Sequence, residues 1–250
     1  VDTGHHRTGV AWDEDEGPAL AALVNALPGL RFAGLLTHGG HAYHGPDVGE
    51  TAGDALVRRA SEERDRILDL AVRLRNEGLA GDRFEVSIGS TPTLSVFENA
   101  ERERIRITEV RPGNYVFNDA IQLALGSATA ADCALTVLAT VISKHRDRDG
   151  SERVFIDGGK KVFTSDTGAG ATGFGIVLYN AQTMTALPHV EFTDLSEEHG
   201  WLRVRGGSTL SVGDRVRIIP NHACVVVATQ PQFHVVDGEE VVETLTVDAR

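Results

Sequence analysis

The sequence predicts an α/β segment followed by an all-β segment, and two observations carry that expectation. Strand-like and helix-like runs alternate over residues 1–127, the signature of a parallel sheet with crossover helices. From Ala128 onward strand-like runs bounded by turn residues follow one another with no convincing helix between them, as in a partly closed β-barrel.

In order, "VDTG" reads as a strand end. "GPALAALVNALPG" reads as a helix, with Leu20, Leu23, Val24 and Leu27 at helical spacing and a stop at Pro28 and Gly29. "RFAGLLTHGG" is a strand that ends in glycines. Residues 52–77 form the longest helix candidate, with Leu56, Ala60, Ile67, Leu70, Ala71 and Leu74 along one face and Gly78 beyond its end. "RFEVSIGSTPT" and "ITEVRPGNYVFND" are strands that break into loops. In the second segment "CALTVLATVISKH", "ERVFIDGG", "GFGIVLYN", "WLRVRGG", "DRVRIIPNHACVVVATQ", "QFHVVDG" and "VVETLTV" read as strands. Cys133 is expected on the first of these, in the core.

Composition narrows the partners. The net charge of −12 argues against nucleic acid or an anionic membrane as the main partner, and no apolar run approaches the roughly 20 residues of a membrane span. The two cysteines, Cys133 and Cys224, are too few for a disulfide framework and suit a reducing, cytoplasmic setting. Of 24 Lys and Arg residues only three are lysine, Lys144, Lys160 and Lys161.

Loops after the strands of a parallel sheet are where such folds carry function. Here all of them are polar or glycine-rich. "VDTGHHRTG" offers Arg7; "LTHGGHAYHG" offers His38, His41, Tyr43 and His44; "IGSTPT" offers Gly89, Ser90 and Thr91; "RPGN" offers Arg111, Gly113 and Asn114. Each alone is a common turn. Together they suit a small phosphorylated ligand.

"VDTGHHRTGV", "RPGNYVF" and the α/β-then-β layout resemble the alanine-racemase-type enzymes. These bind pyridoxal 5'-phosphate (PLP) in a (β/α)8 barrel beside a β domain. "LTHGGHAYHG", "SIGSTPT", "VLATVISK", "IDGGKK", "SEEHG" and "IPNHAC" narrow the resemblance to the branch of D-threonine aldolase and metal-dependent D-serine dehydratase. It implies a partial PLP-binding barrel over 1–127 and a metal-bearing β domain over 128–250. Arg7 matches the arginine near the cofactor's phenolic oxygen, and Ser90 and Thr91 the phosphate-binding turn. Gly113 and Asn114 match the second phosphate loop, and Tyr43 the tyrosine facing the pyridine ring. His41, with His38 and His44 beside it in sequence, is a candidate acid or base.

His222 and Cys224 match the branch's metal pair, which is His-x-Cys in the dehydratases and His-x-Asp in many aldolases. Read as a strand, "IPNHACVVV" points both side chains to one face. On their own, a histidine and a cysteine in an apolar run are more often core residues, and two ligands are too few for a structural zinc site. A catalytic metal leaves positions open, and thiolate with imidazole favours zinc, with manganese, cobalt or magnesium as other possibilities.

The resemblance implies a lyase of D-3-hydroxy amino acids, with the metal as Lewis acid at the substrate hydroxyl. Cys224 favours a D-serine or D-threonine dehydratase; a D-threonine aldolase is the alternative, and a PLP racemase the second. A racemase needs a tyrosine base from the β domain, where Tyr179 stands alone in a motif unlike the racemase one. A cofactor-carrying protein without catalysis lacks the β domain. The family's Schiff-base lysine precedes the D-T-G-x-x-R motif, and no lysine here lies in the barrel segment. The chain is therefore expected to be N-terminally truncated and inactive alone, and the intact enzyme to be a homodimer. "SEEHG" could bring Glu198 or His199 toward the site, or be a polar turn.

Overall fold

The computed structural model describes residues 1–81, 83–168 and 170–248, with only the backbone of Asn180. The chain divides into two compact units, Val1–Gly113 with Leu125–Ser127, and Asn114–Ala124 with Ala128–Arg250. Residues 114–124 group with the second unit, where the Asp119 carboxylate accepts the Ala223 N–H and the Ile121 N–H reaches the Asn221 carbonyl.

The first unit runs α1 (Glu16–Ala26), β1 (Gly34–Leu36), α2 (Ala52–Asn76), β2 (Glu85–Ile88), α3 (Thr91–Leu94), a small hairpin of β3 (Glu101–Arg102) and β4 (Ile105–Arg106), and β5 (Glu109–Val110). β1, β2 and β5 form a parallel sheet in that order, with Leu35 opposite Val86 and Ser87 opposite Glu109. α2 is the largest element. The Thr51 hydroxyl caps its start by accepting the Asp54 N–H, and Gly78 takes a left-handed φ of 72° beyond its end. Its inner face packs Ile67, Leu70, Ala71 and Leu74 on Leu35, Val86 and Ile88. Each such fully buried aliphatic side chain contributes about 1.5–3 kcal/mol.

Two local readings change. "VDTG" makes only an isolated parallel bridge, Asp2 to Ala11. The Asp2 carboxylate instead gathers the N–H groups of Gly4, His5 and His6 into a tight turn, as acceptor side chains do where a ladder is lacking. α1 forms as expected, but its buried face is Gly17, Pro18 and Ala21, while Leu20, Leu23 and Leu27 are exposed.

The second unit holds α4 (Ala120–Leu125, its last residue in the first unit), β6 (Val137–Arg146), β7 (Glu152–Ile156), β8 (Gly175–Asn180), β9 (Thr185–Ala186), β10 (Val190–Leu195), β11 (Gly200–Val204), β12 (Arg215–Pro220), α5 (Ala223–Thr229), β13 (Gln232–Asp237) and β14 (Glu240–Thr246). Seven strands form one sheet in the order β10-β11-β7-β6-β12-β8-β9. It curls: just before β8, the Phe174 N–H donates to the Phe192 carbonyl of β10, at the opposite end of the sheet. This is the expected partly closed barrel. Phe163 and Phe192 meet edge to face at its centre, 5.0 Å apart. Cys133 is buried as expected, but in the turn before β6 rather than on a strand.

The expected strand through Ile218–Val226 is overturned. β12 stops at Pro220, and Ala223–Thr229 is a helix despite three consecutive valines. Tertiary hydrogen bonds outweigh β propensity here. The Asn221 amide donates to the Asp166 and Gly173 carbonyls and turns the chain. Asp119 then accepts the Ala223 N–H at the helix start. Among the described residues no helix is long and apolar enough to cross a membrane.

Candidate functional site

In the first unit the loops that follow the three parallel strands are tied to one another. His38, after β1, bonds through Nδ1 to the Gly89 carbonyl after β2 at 2.5 Å. A carbonyl only accepts, so Nδ1 carries the proton and Nε2 is left as the acceptor. Arg111, after β5, donates to the Ser87 hydroxyl and to the Thr37 carbonyl. The rings of His38 and Tyr43 stack with centroids 6.4 Å apart, and the His5 ring lies 6.0 Å from those of His38 and His44. Burial, followed by the charges of Arg7 and Arg111, depresses the His38 pKa despite its bond to Gly89. His38 is therefore neutral at neutral pH. Arg7 itself is exposed.

Ser90 and Thr91 are buried at the turn into α3, and the Ser90 hydroxyl is 2.6 Å from that of Thr93. A Cβ on Gly89 would stand 2.8 Å from the Arg111 carbonyl oxygen, so only glycine lets β2 and the β5 loop approach this closely. Gly113 faces open space. Asn114, the first residue of the second unit, is buried and donates to Asp119.

His41 is not at the loop surface. It is fully buried, with Nε2 3.6 Å from Glu62, and burial pushes its pKa down to about 4 against the pull of that carboxylate. The 3-10 turn at Gly40–His44 rotates it inward while His44 stays exposed.

In the second unit His222 is the residue immediately before α5, and Cys224 lies in its first turn. They remain neighbours despite the loss of the strand. A hydrogen bond with Cys224, opposed by burial and joined by one with Asp166, pushes the His222 pKa up to about 9. The Asp166 carboxylate accepts from Nδ1 at 2.6 Å. The ring is thus held between Asp166 and Cys224, and Cys224 is exposed. No third His, Cys, Asp or Glu completes a metal cluster with them among the described residues.

Residues 1–120 match the alanine racemase N-terminal domain and residues 134–236 the putative serine dehydratase domain. The chain belongs to the alanine racemase-like, fold type III family of PLP enzymes. Within that family it is 33% identical to a D-threo-3-hydroxyaspartate dehydratase of Delftia sp. (strain HT23), over 98% of this chain and 63% of that protein. The solved structure of that dehydratase superposes with a TM-score of 0.79. A D-serine dehydratase of Dictyostelium discoideum is 28% identical over 96% of this chain and 60% of its own length. A D-threonine aldolase of Arthrobacter sp. is 31% identical over 99% and 57%. The chain thus spans about 60% of the length of these relatives.

The family's PLP fits the first unit on the unit's own geometry. Three loops are cross-linked, two arginines supply positive charge, and the Nδ1 of His5 is buried without a hydrogen-bond partner among the described residues. A metal fits the second unit by its donors. A soft thiol and an imidazole suit zinc, and the carboxylate behind the imidazole is the usual support of a metal-ligating histidine.

Three neighbours escaped the sequence reading. Glu63 sits fully buried beneath the Gly89–Thr93 turn. Its signal was present: the apolar stripe of α2 runs 56, 60, 67, 70, and the position that completes it is this acid. His5 is marked only by its place beside the D-T-G turn, and Asp166 by nothing in its polar loop. Glu198 ion-pairs with Lys161. His199 closes a tight turn, its carbonyl accepting the Ser196 N–H.

Proposed function

We propose that the protein is a PLP- and metal-dependent lyase of D-3-hydroxy amino acids, and specifically a dehydratase of D-serine or D-threonine that yields a 2-oxo acid and ammonia. The observation that carries the choice of dehydratase is the exposed thiol of Cys224 beside His222, where the resemblance gives aldolases a carboxylate. A cysteine-to-alanine variant of a D-threo-3-hydroxyaspartate dehydratase described in a metal-free form agrees with a thiol ligand in that relative.

In this reading residues 1–127 carry the cofactor loops and 128–250 the metal. Ser90, Thr91, Gly113 and Asn114 hold the phosphate, Arg7 the phenolic oxygen and Tyr43 the ring face. His222 and Cys224 hold the metal, zinc before manganese, cobalt or magnesium. When bound, the cofactor withdraws electrons from the substrate's α-carbon and the metal polarises its β-hydroxyl.

The chain's own residues then divide the work. Arg7 and Arg111 supply positive charge to the cofactor loops. Asp166 would keep a proton on Nδ1 of the neutral His222 ring and so leave Nε2 for the metal. His41 braces the turn from within, and its burial shifts the acid–base assignment to His38. The neutral ring of His38 is fixed by Gly89 and can take a proton at Nε2.

The three lysines do not fit the Schiff-base role. Lys144 is held by Glu152 and the carbonyls of Ser208 and Leu210, Lys161 is paired with Glu198, and Lys160 lies in a turn of the same second unit. In this reading the Schiff-base lysine is the one the resemblance places before the D-T-G-x-x-R motif, outside these 250 residues, and this chain is inactive alone. A cytoplasmic homodimer is part of the same reading.

The test is the full-length protein with PLP and D-threonine, with and without EDTA, and separation of the products. Ammonia and 2-oxobutanoate that vanish with EDTA support the dehydratase. Glycine and acetaldehyde make it an aldolase and overturn the inference from Cys224. Turnover indifferent to EDTA removes the metal from the reading.

A further inference from the structure

Glu63 lies near the middle of α2, in the stripe that packs against the parallel sheet, and is 0% exposed. A carboxyl group there is costly unless every lone pair finds a donor. It finds them in three separate places. Oε1 accepts the Gly89 N–H at 3.2 Å, Oε2 accepts the Thr93 hydroxyl at 3.0 Å, and the Gly39 backbone packs directly on Oε2, its N–H favouring the charged form. No lysine or arginine forms an ion pair with it among the described residues. Gly39 is in the loop that leads to Tyr43, Gly89 in the turn before Ser90, and Thr93 in α3, bonded back to Ser90. One acid on a 25-residue helix is therefore bonded to the Gly89 turn and to the helix after it, and packs directly under the Gly39 loop.

The local fit is close. A Cβ on Gly39 would lie 2.4 Å from Oε2, so this loop can come down onto the carboxyl only as glycine. A leucine at position 63 would fill the space and leave three donors facing apolar carbon. A glutamine has one acceptor oxygen where two oxygens accept now, so one N–H would meet another N–H.

We propose that Glu63 is a positioning residue for the cofactor: it locks the Gly39–Tyr43 loop to the Gly89–Thr93 turn, so that the phosphate-binding groups are set before the cofactor arrives. This rests on the cofactor assignment of the preceding section. Pre-set donors improve affinity because the loops need no ordering at the moment of binding. A residue that merely stabilises α2 would change the affinity for cofactor forms with and without a phosphate alike. A residue that sets the turn changes the phosphate-dependent part.

The experiment compares the affinities of the full-length protein for PLP and for pyridoxal, which lacks the phosphate, by absorbance and fluorescence titration. Wild type is expected to prefer PLP. Glu63→Gln is expected to weaken PLP binding about tenfold or more, the equivalent of one charge-assisted hydrogen bond, with pyridoxal nearly unchanged. Thr93→Val removes the hydroxyl that links Glu63 to Ser90 and is expected to shift the ratio in the same direction, which keeps the test available if the Glu63 variant does not fold. Thr51→Ala, which loosens α2 at its cap, is expected to leave the ratio alone. An unchanged ratio in Glu63→Gln and Thr93→Val, or an equal loss for both ligands, overturns the role of Glu63 while the cofactor assignment stands. A wild type without preference for PLP overturns the cofactor assignment, and the role of Glu63 with it.

Discussion

Both units bury an acid next to their candidate site, and they use it differently. Glu63 and Asp119 are each 0% exposed, each has its pKa raised by burial, and each accepts the N–H of a residue adjoining an expected ligand contact, Gly89 in one and Ala223 in the other. Glu63 projects from a long helix onto loops. Asp119 projects from a loop onto the first residue of α5 and is itself held by Asn114 and Gln122. Where the site is made of loops, the anchor stands on the rigid element. Where the site opens a short helix, the anchor is the cap. Rigid support comes from whichever partner has more of it to give.

The largest way to break this comparison is Asp119→Ala. It orphans the buried donors of Ala223, Gln122 and Asn114. Each costs about 1–3 kcal/mol, so urea unfolding should show a loss of several kcal/mol, with α5 undone first. A loss below about 1 kcal/mol would mean that the valines form the helix without the cap. Next in size is Asp166→Asn, which removes the carboxylate behind His222. Competition with a chromophoric chelator should show zinc affinity reduced by about 10- to 100-fold, the usual effect of losing such a partner. Unaltered affinity would break the assignment of Nε2 as the ligand atom.

A third test uses pH. Burial raises the Glu63 pKa above its ordinary range, although Gly89, Thr93, Gly39 and Arg111 oppose the shift. An acid whose folded pKa is raised contributes stability that is fully present below the unfolded pKa and is lost as pH rises through the folded one. The unfolding free energy of wild type relative to Glu63→Gln should therefore fall as pH climbs above the normal carboxylate range. A rise in the same window would show that the hydrogen bonds, not burial, set the proton. The smallest expected effect is Thr51→Ala, about 1 kcal/mol from the lost cap on the Asp54 N–H, read as a lowered Tm.

The sequence made the alternating first unit legible because helix and strand periods differ so plainly at residues 52–77 and at "RFEVSIG". The curled sheet was legible for the same reason. The helix at Ala223–Thr229 was not, since its cause, the caps from Asp119 and Asn221, lies more than a hundred residues away in one case and in a side-chain turn in the other. The burial of His41 was equally hidden. "GGHAYHG" gives no period, and the single 3-10 turn decides which imidazole faces inward. The pairing of His222 with Cys224 did follow from their spacing, although through helix-start geometry rather than a strand face.

At Gly39 and Gly40 the chain is pressed from two sides. A Cβ on Gly39 would strike the Glu63 carboxyl at 2.4 Å, and one on Gly40 would strike the His5 ring at 2.5 Å. A partition one peptide thick therefore separates an internal acid from a group of imidazoles. Substitution on either face of that partition can be accommodated only by a smaller residue on the matching side, so positions 39 with 63, and 40 with 5, should change together wherever they change at all.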